Sequence, residues 1–181
     1  AETENYPHNI ALFERRLLPL GIDFRKADSC DRLPFDDRSF YMIINRHGDF
    51  DPNEIYRVLK NGGIFITEQV GAENDRELVE LLLNDVPDIP FPDQYLKIAQ
   101  AAFEEIGFSV IKADEAFRPI KFWDVGALVW FARIIEWEFP NFNVRDCQEN
   151  LYHAQEILEQ KGVLEGRIHR FLLVVEKERL E

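Results

Sequence analysis

Two cysteines, one methionine and no long apolar run leave several protein classes without support in this chain of 181 residues. Cys30 and Cys147 are too few for a disulfide framework or a zinc cluster, and no grouping of residues suggests a metal site. A membrane helix needs about 18–20 consecutive apolar residues, and none occurs. Ala1-Glu2-Thr3-Glu4 has neither the basic nor the apolar region of a signal peptide, so a cytoplasmic location is expected. Positive charge is scarce: 21 Lys and Arg stand against 34 Asp and Glu, a net charge of −13. Such a chain repels phosphate backbones, and Arg15-Arg16 and Arg167–Arg170 are too short to make a basic patch, which argues against nucleic acid. A small-molecule substrate is the expected partner. Nine glycines are present, but no two are spaced as G-x-G, and a nicotinamide-dependent oxidoreductase would need G-x-G-x-x-G after a strand.

What is present is a globular composition, 46% hydrophobic with 15 Phe and 3 Trp, suited to one domain spanning 1–181. Its organising stretch is 41–63. Tyr41-Met42-Ile43-Ile44 reads as a strand buried on both faces, followed by the polar loop Asn45-Arg46-His47-Gly48-Asp49-Phe50. A short helix through Lys60 then has Asp51 as cap, Pro52 at its first position and Glu54 completing a capping box. Gly62 of Asn61-Gly62-Gly63 supplies the left-handed residue that closes it, and Ile64-Phe65-Ile66 opens a second buried strand. In open α/β sheets, ligands bind at the carboxyl ends of such strands, where this polar loop lies.

Around that unit the spacing predicts a helix over 9–18 capped by Asn9, and an edge strand over 22–28. A helix through Leu83 has Asn74 and Glu77 as a capping box. Pro87, Pro90 and Pro92 make 84–94 a rigid loop, and Leu96, Ala99, Phe103 and Ile106 share a helix face ended by Gly107. Extended segments follow at 108–113 and 117–120, then helices over 124–139 and 144–161, and a last strand over 168–175. The alternation argues for an α/β, doubly wound, mostly parallel sheet, with 84–94 and 121–162 as substrate-side cover.

Thr3-Glu4-Asn5-Tyr6-Pro7-His8-Asn9, Asp28 ahead of Leu33-Pro34-Phe35, Ile43-Ile44-Asn45-Arg46-His47, and Arg57-Val58-Leu59-Lys60-Asn61-Gly62-Gly63-Ile64-Phe65 together resemble class I S-adenosylmethionine-dependent methyltransferases, most closely the methyltransferase type 11 group. The resemblance runs in order from residue 3 to about 70. It implies a Rossmann-like sheet and S-adenosylmethionine as cofactor. By the same resemblance Glu4 would hold the ribose hydroxyls, Asp28 and Ser29 would meet the adenine edge, and Asn45, Arg46 and His47 would face the transferred methyl and the substrate. A carboxylate is the acceptor that vicinal hydroxyls require. The family's first strand and its glycine-rich loop have no counterpart, so the sheet is expected to be N-terminally incomplete. Cofactor affinity is then expected to fall, and unpaired strand edges offer a route to a homodimer.

Each of these residues has a plainer reading. Glu4 can be solvated charge, and Asp28 can cap a turn. His47 can act as a general base or only bond backbone. Arg46 can fix a carboxylate or pair with Asp49 or Asp51, and Asn45 can shape the turn. Trp123, Trp130, Phe131, Trp137 and Phe139 can line an apolar pocket or pack the core, whereas His153 and His169 read as structural. The alternative to a methyltransferase is a non-catalytic methyltransferase-like module that associates with itself or a partner.

Overall fold

The structure, a computed structural model, describes residues 1–4, 7–27 and 32–178. The chain divides into two compact units. One holds Ala1–Gln69, Lys97–Ala113 and Leu172–Glu181, and the other holds Val70–Leu96 and Asp114–Phe171. Strands form a two-stranded sheet, β1 (Glu2–Glu4) with β2 (Phe24–Lys26), and a four-stranded sheet. The larger sheet has the order β3 (Phe40–Arg46), β4 (Leu59–Val70), β6 (Leu164–Lys177), β5 (Phe108–Phe122). The β1–β2 and β3–β4 pairs are parallel, as the crossover reading requires.

In the first unit, helix α1 (Pro7–Arg16) joins β1 to β2. It starts two residues before the expected Asn9 cap, because proline suits a first helical position. Asn9 instead donates its amide to Glu4 Oε2 at 2.9 Å. Helix α2 (Pro52–Val58) starts as expected, with the Asp51 side chain accepting from the Asn53 amide at 2.9 Å. Glu54 does not close a capping box. It accepts from the Leu33 amide at 2.9 Å and pairs with Arg57 at 2.7 Å.

Helix α2 ends at Val58, two residues short of expectation. Lys177, 4% exposed, donates its ammonium to the carbonyls of Tyr56 (2.6 Å) and Leu59 (3.0 Å). It thereby satisfies carbonyls that the helix end leaves open. Gly62 is left-handed (φ 74°), but inside β4 rather than at a helix end. There the register with β3 jumps from Phe40–Leu59 to Met42–Ile64. A Cβ on Gly63 would come within 2.8 Å of the Lys60 carbonyl, so the irregularity depends on a bare backbone.

The core of this unit is aromatic. Phe65 lies 5.5 Å from Phe50 and 5.2 Å from Phe103, and Phe103 lies 5.1 Å from Phe108. Phe103 comes from helix α4 (Leu96–Ile106), which Gly107 (φ 101°) follows as the pattern predicts.

The second unit packs α3 (Arg76–Leu82), α5 (Val125–Ile134) and α6 (Gln148–Lys161) around Leu78, Leu82, Phe122, Leu128, Ala132, Phe139, Ala154 and Leu164. Asp75, not Asn74, precedes α3, in a left-handed conformation with no side-chain cap. Asn74 and Glu77 are drawn instead to β6. The Asn74 side-chain oxygen Oδ1 accepts from the His169 backbone amide, and Glu77 pairs with Arg167. Helix α5 stops five residues before the expected Phe139, and 135–139 forms a separate turn closed by the Phe139 amide on the Ile135 carbonyl at 3.0 Å. Helix α6 begins at Gln148 rather than Val144, since the Asn143 side chain takes the Arg145 amide at 2.9 Å and holds a separate turn. The two extended segments at 108–120 are one strand, β5, and β6 outruns its expected bounds at both ends. Trp123, Trp130 and Trp137 are about two-thirds exposed and so do not fill the core, whereas Phe139 is buried.

Candidate functional site

The carboxyl end of β3 and the end of β1 meet at a cleft of about 830 Å³ in the first unit. Its polar wall is Glu4, Asn45, Arg46 and His47, and its apolar wall includes Leu33, Phe35, Met42 and Ile44. The volume falls in the range of about 300–1,000 Å³ typical of small-molecule sites. Four of the expected site residues are thus brought together. Asp28 and Ser29 lie outside the described residues.

The polar wall is set from beneath by β4. Inward positions of β4 alternate as Phe65, Thr67 and Gln69, and the last two are buried and polar. Asn45 Oδ1 accepts from Thr67 Oγ1 at 3.0 Å and from Gln69 Nε2 at 2.7 Å. Gln69 Nε2 also reaches the Gly48 carbonyl at 2.9 Å, and Asn45 Nδ2 donates to the Asp49 carbonyl at 3.3 Å. Asn45 therefore shapes the loop through bonds that pass through the strand floor. A polar pair on the buried face of an otherwise apolar strand was the signal for Thr67 and Gln69, because buried amides and hydroxyls must find partners.

Glu68, on the opposite face of β4, organises the charged residues. Its carboxylate lies 3.1 Å from Arg46 Nε and 3.7 Å from His47 Nε2, and its carbonyl accepts from the His47 amide at 2.9 Å. Arg46 pairs with Glu68 and not with Asp49 or Asp51, because parallel pairing sets Arg46 directly beside Glu68. His47 has φ 56°, a left-handed conformation that turns the chain off the strand end.

Against the S-adenosylmethionine that the resemblance implies, the lining offers one matching group and lacks another. Glu4 offers a half-buried carboxylate for hydroxyl groups, although it already accepts one bond from Asn9. Gly48 is the only glycine among the lining residues, so no repeated glycines let backbone approach the methionine end.

No family model matches the chain, and no curated protein matches its sequence. Solved structures do match. A protein of Bacillus halodurans C-125 provisionally assigned as a methyltransferase aligns over 97% of this chain and 81% of its own, with a TM-score of 0.58 and 18% identity. The YcgJ protein of Bacillus subtilis aligns over 98% and 82%, also at 0.58 and 18%. The [4+2]-cyclase SpnF aligns over 98% of this chain and 66% of its own, at 0.53 and 15%. At such identities the likeness speaks to architecture, and one architecture hosts many activities. This chain has the α/β, Rossmann-like fold of the class I S-adenosylmethionine-dependent methyltransferases.

Proposed function

We propose that the protein belongs, by activity, to the S-adenosylmethionine-dependent methyltransferases that act on small molecules in the cytoplasm, with the β1–β3 cleft as its site. The observation that carries this reading is the meeting of Glu4 with Asn45, Arg46 and His47 on one cleft in a fold of this kind. The cofactor supplies an electrophilic methyl on a sulfonium, so positioning provides most of the rate. Glu4 accepts hydrogen bonds from vicinal hydroxyls, and Asn45 holds the loop that faces the substrate. Arg46 orients a substrate oxygen. His47, with Nε2 turned to Glu68, receives a proton at Nδ1. Lacking G-x-G, these 181 residues bind the cofactor weakly.

A second reading, a non-catalytic module that associates through strand edges, is favoured by β3. Its outer edge has no strand partner among the described residues. Tyr41, Met42 and Ile44 are 71%, 53% and 71% exposed on a strand whose sequence suits burial on both faces.

Calorimetric titration with S-adenosylhomocysteine, beside sedimentation of the same sample, separates the two. The enzyme reading expects saturable binding with Kd above about 1 μM, weakened roughly tenfold in Glu4→Gln. No heat up to about millimolar ligand, with a concentration-dependent dimer, would overturn it in favour of association.

A further inference from the structure

In the second unit, acidic groups gather where α3 begins. The Asn74 side-chain amide donates to Asp75 Oδ2 at 2.8 Å and to Glu138 Oε1 at 2.7 Å, so one NH2 group bridges two carboxyls from distant parts of the chain. Asp75 is 2% exposed. The other oxygens, Asp75 Oδ1 and Glu138 Oε2, are both buried and have no hydrogen-bond partner. Buried carboxylate oxygens left in that state are costly.

The surrounding groups donate no hydrogen bond to these oxygens, although the nearby Arg170 charge favours the ionised form of both acids. Arg170, from β6, gives Nη1 to Asn74 Oδ1 and to the His169 carbonyl. Arg167 is committed to Glu77. The buried His169 ring accepts from the Glu73 amide at Nδ1 (3.2 Å) and turns Nε2 to Glu115 of β5 at 3.0 Å. Glu73 accepts from the Tyr95 hydroxyl at 3.0 Å. What remains to satisfy two unpartnered acceptors, on carboxyls held by one amide, is a hydrogen between them.

We propose that Asp75 and Glu138 share one proton, and that this proton-held pair is a latch tying the start of α3 to the turn at 135–139. A protonated carboxyl becomes a donor, and both unpartnered oxygens are then accounted for by a single bond. Burial raises both acids; the Asp75 charge and hydrogen bond add to the rise of Glu138, to about 8, whereas the same bond works against the rise of Asp75. The pair titrates as a unit, so that value describes the couple. Because folding raises these acids, the contribution to stability is complete below the ordinary carboxylate range. It is lost as pH rises towards about 8. Above that pH two carboxylates face each other in a buried site, and the turn separates from α3.

The test is a pH series of thermal unfolding on the whole chain, wild type against Glu138→Gln and Asp75→Asn. A carboxyl-carbon NMR titration of the wild type runs alongside and needs no variant. The latch expects a wild-type Tm that falls several degrees between pH 6 and pH 9, and a clearly shallower fall in Glu138→Gln, whose amide donates permanently. It also expects a shared carboxyl titration near pH 8 in the NMR series. The proposal is overturned if both acids titrate in the ordinary range, or if the variants keep the wild-type pH dependence. It is also overturned if Ca²⁺ or Mg²⁺ raises the wild-type Tm at neutral pH but not that of Glu138→Gln, which would make the pair a cation site.

Discussion

Glu54 with Arg57 in the first unit and Asp75 with Glu138 in the second are two solutions to one problem, a poorly solvated carboxyl at the start of a short helix. Around Arg57 every donor finds an acceptor. The guanidinium reaches Glu54, Asp37 and the carbonyls of Leu33 and Phe35, all between 2.7 and 2.9 Å. The Arg57 hydrogen bond holds the Glu54 carboxyl below its usual range, and the Glu54 bond raises Arg57 in return. Around Asp75 the balance is reversed, with two acids, one bridging amide and no arginine directed at the open oxygens. Opposite charge stabilises the ionised acid in one place, and burial favours the protonated acid in the other. The two clusters therefore answer pH with opposite signs.

Removing the cation should break this contrast most severely. Arg57→Ala leaves Glu54, 16% exposed, without its counter-charge, and should cost on the order of 3 kcal/mol in denaturant unfolding. In the second unit, Asn74→Ala removes the bridge between the carboxyls and the acceptor for the His169 amide. We expect a loss of about 1–3 kcal/mol, larger at pH 6, where the pair is closed, than at pH 9, where it has opened. Stability equal at both pH values would mean that the amide bridges nothing that titrates.

Glu54→Gln sharpens the comparison with the smallest effect, about 1 kcal/mol at neutral pH. Because folding lowers this acid, its contribution is present above the ordinary carboxylate range and lost as pH falls through its folded value. The variant should show a shallower acid limb of Tm against pH and an unchanged alkaline limb. An unchanged acid limb would place the acid sensitivity elsewhere.

The strand–helix–strand frame from β3 to β4 was legible because it rests on local chemistry: an apolar run and an Asp-Pro helix start. The helix end was not, because the group that terminates α2 is Lys177, more than a hundred residues away. Asn74 reads locally as a cap, yet the backbone of His169 competes for the same oxygen and takes it. Within the candidate site, Asn45, Arg46 and His47 were legible as a polar stretch after an apolar run, whereas Glu4 was reached only through the family resemblance. The partner of Arg46 was not legible, since Glu68 is set beside it by strand register rather than by spacing along the chain.

The sequence by itself determined the α/β alternation, the acidic character and the polar loop after β3, because periodicity, charge and turn chemistry act over a few residues. Tertiary structure alone decided which carboxyls meet a cation and which meet each other. That choice depends on where distant strands set their side chains and on how little water reaches them.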